Sequence, residues 1–301
     1  MRGMPRLRAL DAAGPNDRPN DERGATVSGR RDTITTRGAG LGYRHELGDE
    51  LRRHRTEVDV VEILADQWMT EPGMAVLREV AAEFPTVTHG VGMSLAGAGR
   101  IDPGYLAQVR RVVDLCGSDY YSEHLAVTHV PGRDSGHLCP PFLNEENLRA
   151  CIRNVEQAQS ELGIPLAIEN ITYSVATNPD HLAGASFLAD LVTATDSLIL
   201  LDVTNLYINS TNHSFDPDEY LKRLPMERVV HIHLAGGVRT TDGKLADSHS
   251  EIIDTEIWDL ARRTARSCSP RTVIVEHDQN FPHIEALLDE VAAGRRIYFK
   301  R

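Results

Sequence analysis

Thirteen histidines in 301 residues are the first chemical signal, because many share short segments with Asp, Glu or Asn. In chain order these are His45 with Glu46, Glu62, His89, Glu123 with His124, Glu169 with Asn170, and Asp202 with Asn205. They continue with Asn212 and His213, His231 and His233, Asp247 and His249, and Glu276 through Asp278. Carboxylates and imidazoles converging on one point cost several kcal/mol per unpaired charge unless cations neutralise them. The donors mix imidazole with carboxylate and carboxamide oxygen and include no evident cysteine, which suits Fe, Mn or Zn better than Ca or a thiolate-held zinc. About ten candidates exceed what one octahedral ion uses, so two or three ions are expected.

Something must bring these residues together. From residue 37 onward, short runs rich in Val, Ile and Leu alternate with longer amphipathic segments, the pattern of a parallel sheet covered on both faces. Eight runs read as strands: 39–43, 58–64, 86–91, 120–125, 165–169, 198–203, 229–234 and 272–276. Nearly every one ends in a polar residue named above. Eight strands with intervening helices predict a single (β/α)8 TIM-type barrel, whose active site lies at the C-terminal strand ends. Asn144 is the expected N-cap of a helix that Gly163 ends; a further helix spans 257–265, and the last covers 284–293 before Gly294. Residues 1–36, rich in Arg, Pro, Gly, Asn and Asp without a sustained period, read as a disordered N-terminal extension, and 37–301 as one domain.

Single residues have ordinary readings too. A lone His at a strand end is more often a hydrogen-bonded structural residue than a ligand, and His124, His129, His137, His181 and His283 are read that way. In the seventh strand the period of two puts His231 and His233 on one side; His233, nearer the C-terminal end, is favoured at the mouth. Glu62 and Asp202 are open between direct ligation and orienting a ligand or pairing with Arg, and Asn170, His231 and Asp278 stand with them. Gly38, Gly40 and Gly42 fail the spacing of a dinucleotide fingerprint and read as a close-packed first strand. No P-loop and no G-x-S-x-G elbow occurs.

Composition removes other classes. A formal charge of −12 argues against non-specific nucleic-acid or anionic-membrane binding. No stretch approaches ~18 apolar residues and no signal-peptide core opens the chain, so a cytoplasmic protein is expected. Cys116, Cys139, Cys151 and Cys268 make no C-x-x-C pair and read as reduced thiols.

The ordered segments resemble the multinuclear non-heme iron-dependent oxidase family, the methanobactin-biosynthesis oxidase-like enzymes. The resemblance covers about residues 38–290: Gly40-Leu-Gly-Tyr-Arg-His45, Val60-Val-Glu-Ile63, Thr88-His89-Gly-Val-Gly-Met-Ser-Leu95, Ser122-Glu-His-Leu125 and Ile168-Glu-Asn170. It continues through Leu201-Asp-Val-Thr-Asn205, Asn212-His-Ser-Phe-Asp-Pro217, His231-Ile-His-Leu-Ala-Gly236, Asp247-Ser-His249 and Glu276-His-Asp278. It implies a barrel holding two or three Fe ions in mixed Fe(II)/Fe(III) valence, with O2 as co-substrate. The ligands implied are His45, His89, Glu123, Glu169, Asn205, His213, His233, Asp247, His249 and Glu276. Ser214 stands where the family often has Gly, and Ser248 where Thr is common; neither removes a ligand. The implied substrate is a ribosomally made precursor peptide, often modified at Cys, and a small partner protein that recognises the peptide is implied as well.

Two other readings compete. A xylose-isomerase-like or endonuclease-IV-like barrel would hold divalent ions and consume no oxygen, and the acidic charge weakens its DNA form. A non-catalytic peptide-docking barrel would show lost ligands, and none is evident.

Overall fold

The computed structural model describes residues 31–130 and 132–299. The chain runs through β1 (Gly38–Gly42), β2 (Val60–Leu64), β3 (Thr86–Gly90), β4 (Tyr121–His124), β5 (Val127–Val130), β6 (Arg133–Cys139) and β7 (Leu166–Glu169). It continues through β8 (Leu198–Asp202), β9 (Val229–Ala235), β10 (Gly237–Arg239), β11 (Leu245–Asp247) and β12 (Thr272–Glu276). Eight of these close a barrel in the order β1-β2-β3-β4-β7-β8-β9-β12, every pair parallel, with helices on the outside. All eight expected strands are present, with ends shifted by no more than a residue or two. The fold is the TIM-type α/β barrel.

Alternation along the strands explains how the barrel lifts polar groups to one end. Val60, Val87, Ala167, Leu200 and Ile274 belong to a small buried cluster, and two positions further along their strands stand Glu62, His89, Glu169, Asp202 and Glu276. A period of two puts each pair on the same face, so an apolar layer carries a polar layer above it. Burying the lower layer costs nothing electrostatically and excludes water from beneath the polar one. Gly40 is what lets β1 join this wall: a Cβ there would stand 1.7 Å from the carbonyl oxygen of Val60.

The boundaries of the extension need correction. Residues 1–30 of it lie outside the described residues, but 31–36 lie against the barrel. Ile34 is 3% exposed and joins the lower apolar cluster, while Thr35 donates its backbone N–H to Asp119 at 2.7 Å. Asn144 and Gly163 behave as expected, the first accepting from Asn147 N at 2.8 Å and the second ending the helix Glu145–Leu162 at φ 66°. Gly294 does not end the last helix, which runs Ile284–Tyr298. It sits inside, where a Cβ would come within 3.3 Å of Val273 on β12, so its smallness serves close packing.

That helix also carries Glu290, which accepts from Ile253 N at 2.6 Å while its second oxygen is buried without a partner. Burial pushes the carboxyl up to about 7, against the lowering effect of the Ile253 hydrogen bond. A pKa raised in the folded state contributes stability below the unfolded value near 4.3, lost as pH rises through about 7. Glu290→Gln keeps the acceptor and has no charge, so it is expected to match the parent near pH 4. At pH 8 it should be more stable by on the order of 1–3 kcal/mol in urea unfolding.

Candidate metal centre

Four groups of three donors come together at the C-terminal end of the barrel, the ligand atoms of each within 4.8 Å of one another. They are His89, His124 and Glu169; Glu169, Asp202 and His233; Asp202, His249 and Glu276; and, deeper, Glu62, His231 and His233. The first three share members: Glu169 links the first to the second, and Asp202 links the second to the third. The three overlapping groups form a row of candidate metal sites that share carboxylates.

The histidines are held in a common way. Ser122 Oγ donates to the Thr88 carbonyl, so His89 donates from Nδ1 to Ser122 Oγ at 3.0 Å and leaves Nε2 3.4 Å from Glu169. His124 donates from Nδ1 to the Gly90 carbonyl at 3.0 Å and presents Nε2 3.3 Å from the same Glu169 oxygen. His233 donates from Nε2 to Glu62 at 3.0 Å, which turns Nδ1 toward Glu276 and Glu169 at 3.0 and 3.4 Å. His249 donates from Nδ1 to Asp278 at 3.0 Å, and Arg44 holds that carboxylate from the other side. One ring nitrogen pinned by an acceptor and the other left bare is how metal-binding imidazoles are oriented.

The bare atoms face one another without bonding. His249 Nε2 lies 2.8 Å from Asp247 Oδ1, yet neither has a hydrogen-bond partner. Glu169 Oε2, Asp202 Oδ2, Asn205 Oδ1, His231 Nε2 and His233 Nδ1 are likewise buried and unpartnered. Buried polar atoms are normally satisfied, so such a concentration needs a cause. Ligand atoms about 2.1 Å from a shared ion stand roughly 3 Å apart at right angles, which matches these separations. The donor set therefore fits metal ions.

Charge leads to the same place. Glu62, Glu123, Glu169, Asp202 and Glu276 are each no more than 7% exposed. Burial pushes the carboxyls of Glu62 and Asp202 up, and neighbouring carboxylates add to this. Burial lowers His233 and His249, but Glu276 and the other carboxylates outweigh it and hold both well above the usual range. His124 is raised to about 9, Glu169 and Glu123 outweighing burial, whereas burial and neighbouring imidazoles hold His89 and His231 low. Without ions, imidazolium protons must supply the missing positive charge.

Of the expected ligands, His89, Glu169, His233, His249 and Glu276 fall in these groups, and Asp247 faces His249. Asn205 adjoins Asp202: its backbone N–H donates to Asp202 Oδ1 at 2.7 Å in an N-cap, and its side-chain amide donates to the Asn170 carbonyl at 3.1 Å. Asn170 in turn bonds both backbone groups of Asp202. Glu123, His45 and His213 are not brought into the groups. Glu123 lies on the other face of β4, accepting from Met93 N at 3.2 Å, with burial pushing it up to about 7. His45 is exposed, its ring 4.8 Å from that of Trp68. His213 stacks on Tyr173 at 4.5 Å and bonds its carbonyl at 2.9 Å. His231 lies beneath His233, 3.1 Å from the Tyr120 hydroxyl.

The sequence alone reads His124 as an ordinary hydrogen-bonded residue, whereas the structure groups it with His89 and Glu169. Parity was the available signal, since Tyr120, Ser122 and His124 share the face that holds Tyr120 in the apolar layer. Two backbone positions carry a message as well. Ser214 closes its helix at φ 56°, a left-handed cap where glycine costs least, which accounts for the glycine expected there. His249 itself sits at φ 46°, a strained position of the kind found at functional sites.

A closed TIM-type barrel with carboxylate and imidazole donors gathered at its mouth defines a metal-site barrel enzyme class, and the comparisons narrow it. The profile of the RiPP precursor modification enzymes MbnB/TglH/ChrH matches residues 38–298, and the chain belongs to that family. A UPF0276 protein of Bordetella bronchiseptica is 36% identical over 264 residues, covering 85% of this chain and 91% of that one. One from Caulobacter vibrioides is 34% identical, covering 86% and 96%. Among solved structures, D-psicose 3-epimerase in the presence of D-fructose superposes with a TM-score of 0.54 at 13% identity, covering 88% of this chain and 100% of that one. Endonuclease IV from Thermus thermophilus gives 0.54 at 16%, covering 86% and 98%. At such identities the likeness is one of fold. Among the described residues, no helix is long and apolar enough to cross a membrane.

Proposed function

We propose that the protein is an iron-dependent, O2-using oxidase that modifies a residue, often Cys in the family it resembles, of a ribosomally made precursor peptide. The observation that carries this reading is the set of facing, unbonded donor atoms, above all Asp247 Oδ1 and His249 Nε2 at 2.8 Å. We assign two or three irons to the linked groups, held by His89, His124, Glu169, Asp202, His233, Asp247, His249 and Glu276. Asn205 Oδ1 is available as a further oxygen donor. His45, Glu123 and His213 receive no ion in this assignment.

Bound iron supplies redox chemistry with dioxygen for removing hydrogen from the substrate residue. The chain's own share is positioning and charge. Glu169 and Asp202 fix the spacing between neighbouring positions. Glu62, Asp278, Ser122 and the Gly90 carbonyl lock the imidazoles in the tautomers that leave a lone pair toward the centre. The apolar layer below seals the site from solvent and strengthens every charge interaction within it. A separate partner protein that recognises the peptide is part of the proposal. Metal analysis with oxygen uptake on precursor peptide tests it: iron with peptide-dependent oxygen uptake is expected, and activity sustained by zinc or manganese without oxygen uptake contradicts it.

A further inference from the structure

Beside the candidate metal centre lies a partly open cleft, lined by none of the grouped donors. Its walls are mainly apolar, formed by Leu125, Leu143, Ile171, Leu188, Tyr173 and Tyr220. Two lining residues, Leu125 and Asn170, directly follow His124 and Glu169 in the chain, so the cleft wall continues the strand ends that carry the donors. Leu125 N donates to the Glu169 carbonyl at 2.9 Å, which fixes that continuity.

The rim is apolar and unpartnered. Phe142 is 67% exposed and Val175 75% exposed, each next in sequence to a lining residue, Pro141 and Ala176. Thr177 Oγ1 donates to the Pro141 carbonyl at 2.9 Å, tying these two loops together at the cleft. Exposed apolar side chains grouped at the edge of an apolar cleft are suited to receiving an apolar group. No element of the described chain fills it.

We propose that this cleft is a subsite for a bulky apolar side chain, aromatic by preference, of the peptide substrate at a position flanking the modified residue. The proposal rests on the reading of the chain as a peptide-modifying enzyme. Tyrosine rings and proline faces give an aromatic side chain flat surfaces to lie on. Neighbouring residues of an extended peptide are about 3.5 Å apart, and Leu125 and Asn170 put the cleft wall one residue beyond His124 and Glu169 in the chain.

Gly184 provides the test. It lines the cleft on the second residue of the helix Ala183–Thr195, and a Cβ there meets nothing within 4 Å. Gly184→Trp plugs the cleft without touching a donor, and Gly184→Leu is a smaller plug if the first fails to fold. Metal-loaded protein is titrated calorimetrically without oxygen against acetyl-Gly-Cys-Phe-Gly-amide, acetyl-Gly-Phe-Cys-Gly-amide and acetyl-Gly-Cys-Gly-Gly-amide. One of the Phe peptides is expected to bind roughly tenfold tighter or more than the Gly peptide. The plug removes that preference while the metal content stays unchanged. Equal affinities, or a preference that survives both plugs, overturn the subsite. If the preference emerges only on deleting residues 1–30, or if the plug turns a dimer into a monomer, the chain itself occupies the cleft and the proposal falls. Iron and oxygen uptake on the same samples separate the two claims: preference without iron sinks the oxidase alone, and iron-dependent turnover without preference sinks the subsite alone.

Discussion

Replacing Glu169 by Gln is expected to abolish turnover and lower affinity for at least one ion about a hundredfold or more, while raising the stability of the metal-free protein. Glu169 belongs to two of the three linked donor groups, and its Oε2 is buried with no hydrogen-bond partner. A neutral amide in its place is a weaker ligand and cannot bridge two cations. The same change removes one charge from a crowd of buried carboxylates, whose mutual repulsion penalises the fold when no ion is present. Opposite signs in the two states are what a ligand predicts, whereas a purely structural carboxylate would lose stability in both. Ion content of purified protein and urea melts with and without chelator read the two effects.

A second large effect is expected one layer further from the ions. Glu62→Leu should weaken ion binding roughly 10–100-fold, the usual consequence of removing a residue that orients a metal-binding His. Glu62 Oε1 accepts from His233 Nε2 at 3.0 Å and lies 3.5 Å from His231 Nε2. Without it His233 is free to turn, and Nδ1 no longer faces Glu169 and Glu276. Glu62→Gln retains an acceptor oxygen and is expected to recover most of the affinity. If Gln and Leu lose ion affinity equally, with loss of at least one ion, Glu62 is itself a ligand, which the deeper group of Glu62, His231 and His233 would then contain. Equilibrium dialysis of both variants against Fe(II) separates these outcomes.

The barrel was legible because parallel strands covered on both faces read as near-continuous apolar runs, and each of these ran into a polar end. Caps with a local mechanism, Asn144 and Gly163, were legible for the same reason. Ile34 was lost in a polar context, since its partners on the barrel floor are far away in sequence. Gly294 has the look of a helix stop, and only the approach of Val273 shows it as a packing residue. The hairpin β5–β6 is largely exposed and β10–β11 is mostly half-buried, so no buried face imprinted an apolar alternation on them. At the site, residue types and strand ends identified most of the grouped donors. What remained hidden was tertiary: Glu62 meets His233 across 171 positions, and Asp202 divides its oxygens between capping a helix and facing the centre.

The most direct measurement is metal analysis of protein purified without oxygen, with Mössbauer spectra and oxygen uptake recorded in the presence of a precursor peptide encoded nearby. Two or more irons per chain in mixed valence, with peptide-dependent oxygen uptake, is the predicted result. Stoichiometric zinc or manganese that alone sustains activity, with no oxygen consumed, would contradict it and place the chain's chemistry with hydrolytic or isomerising barrels.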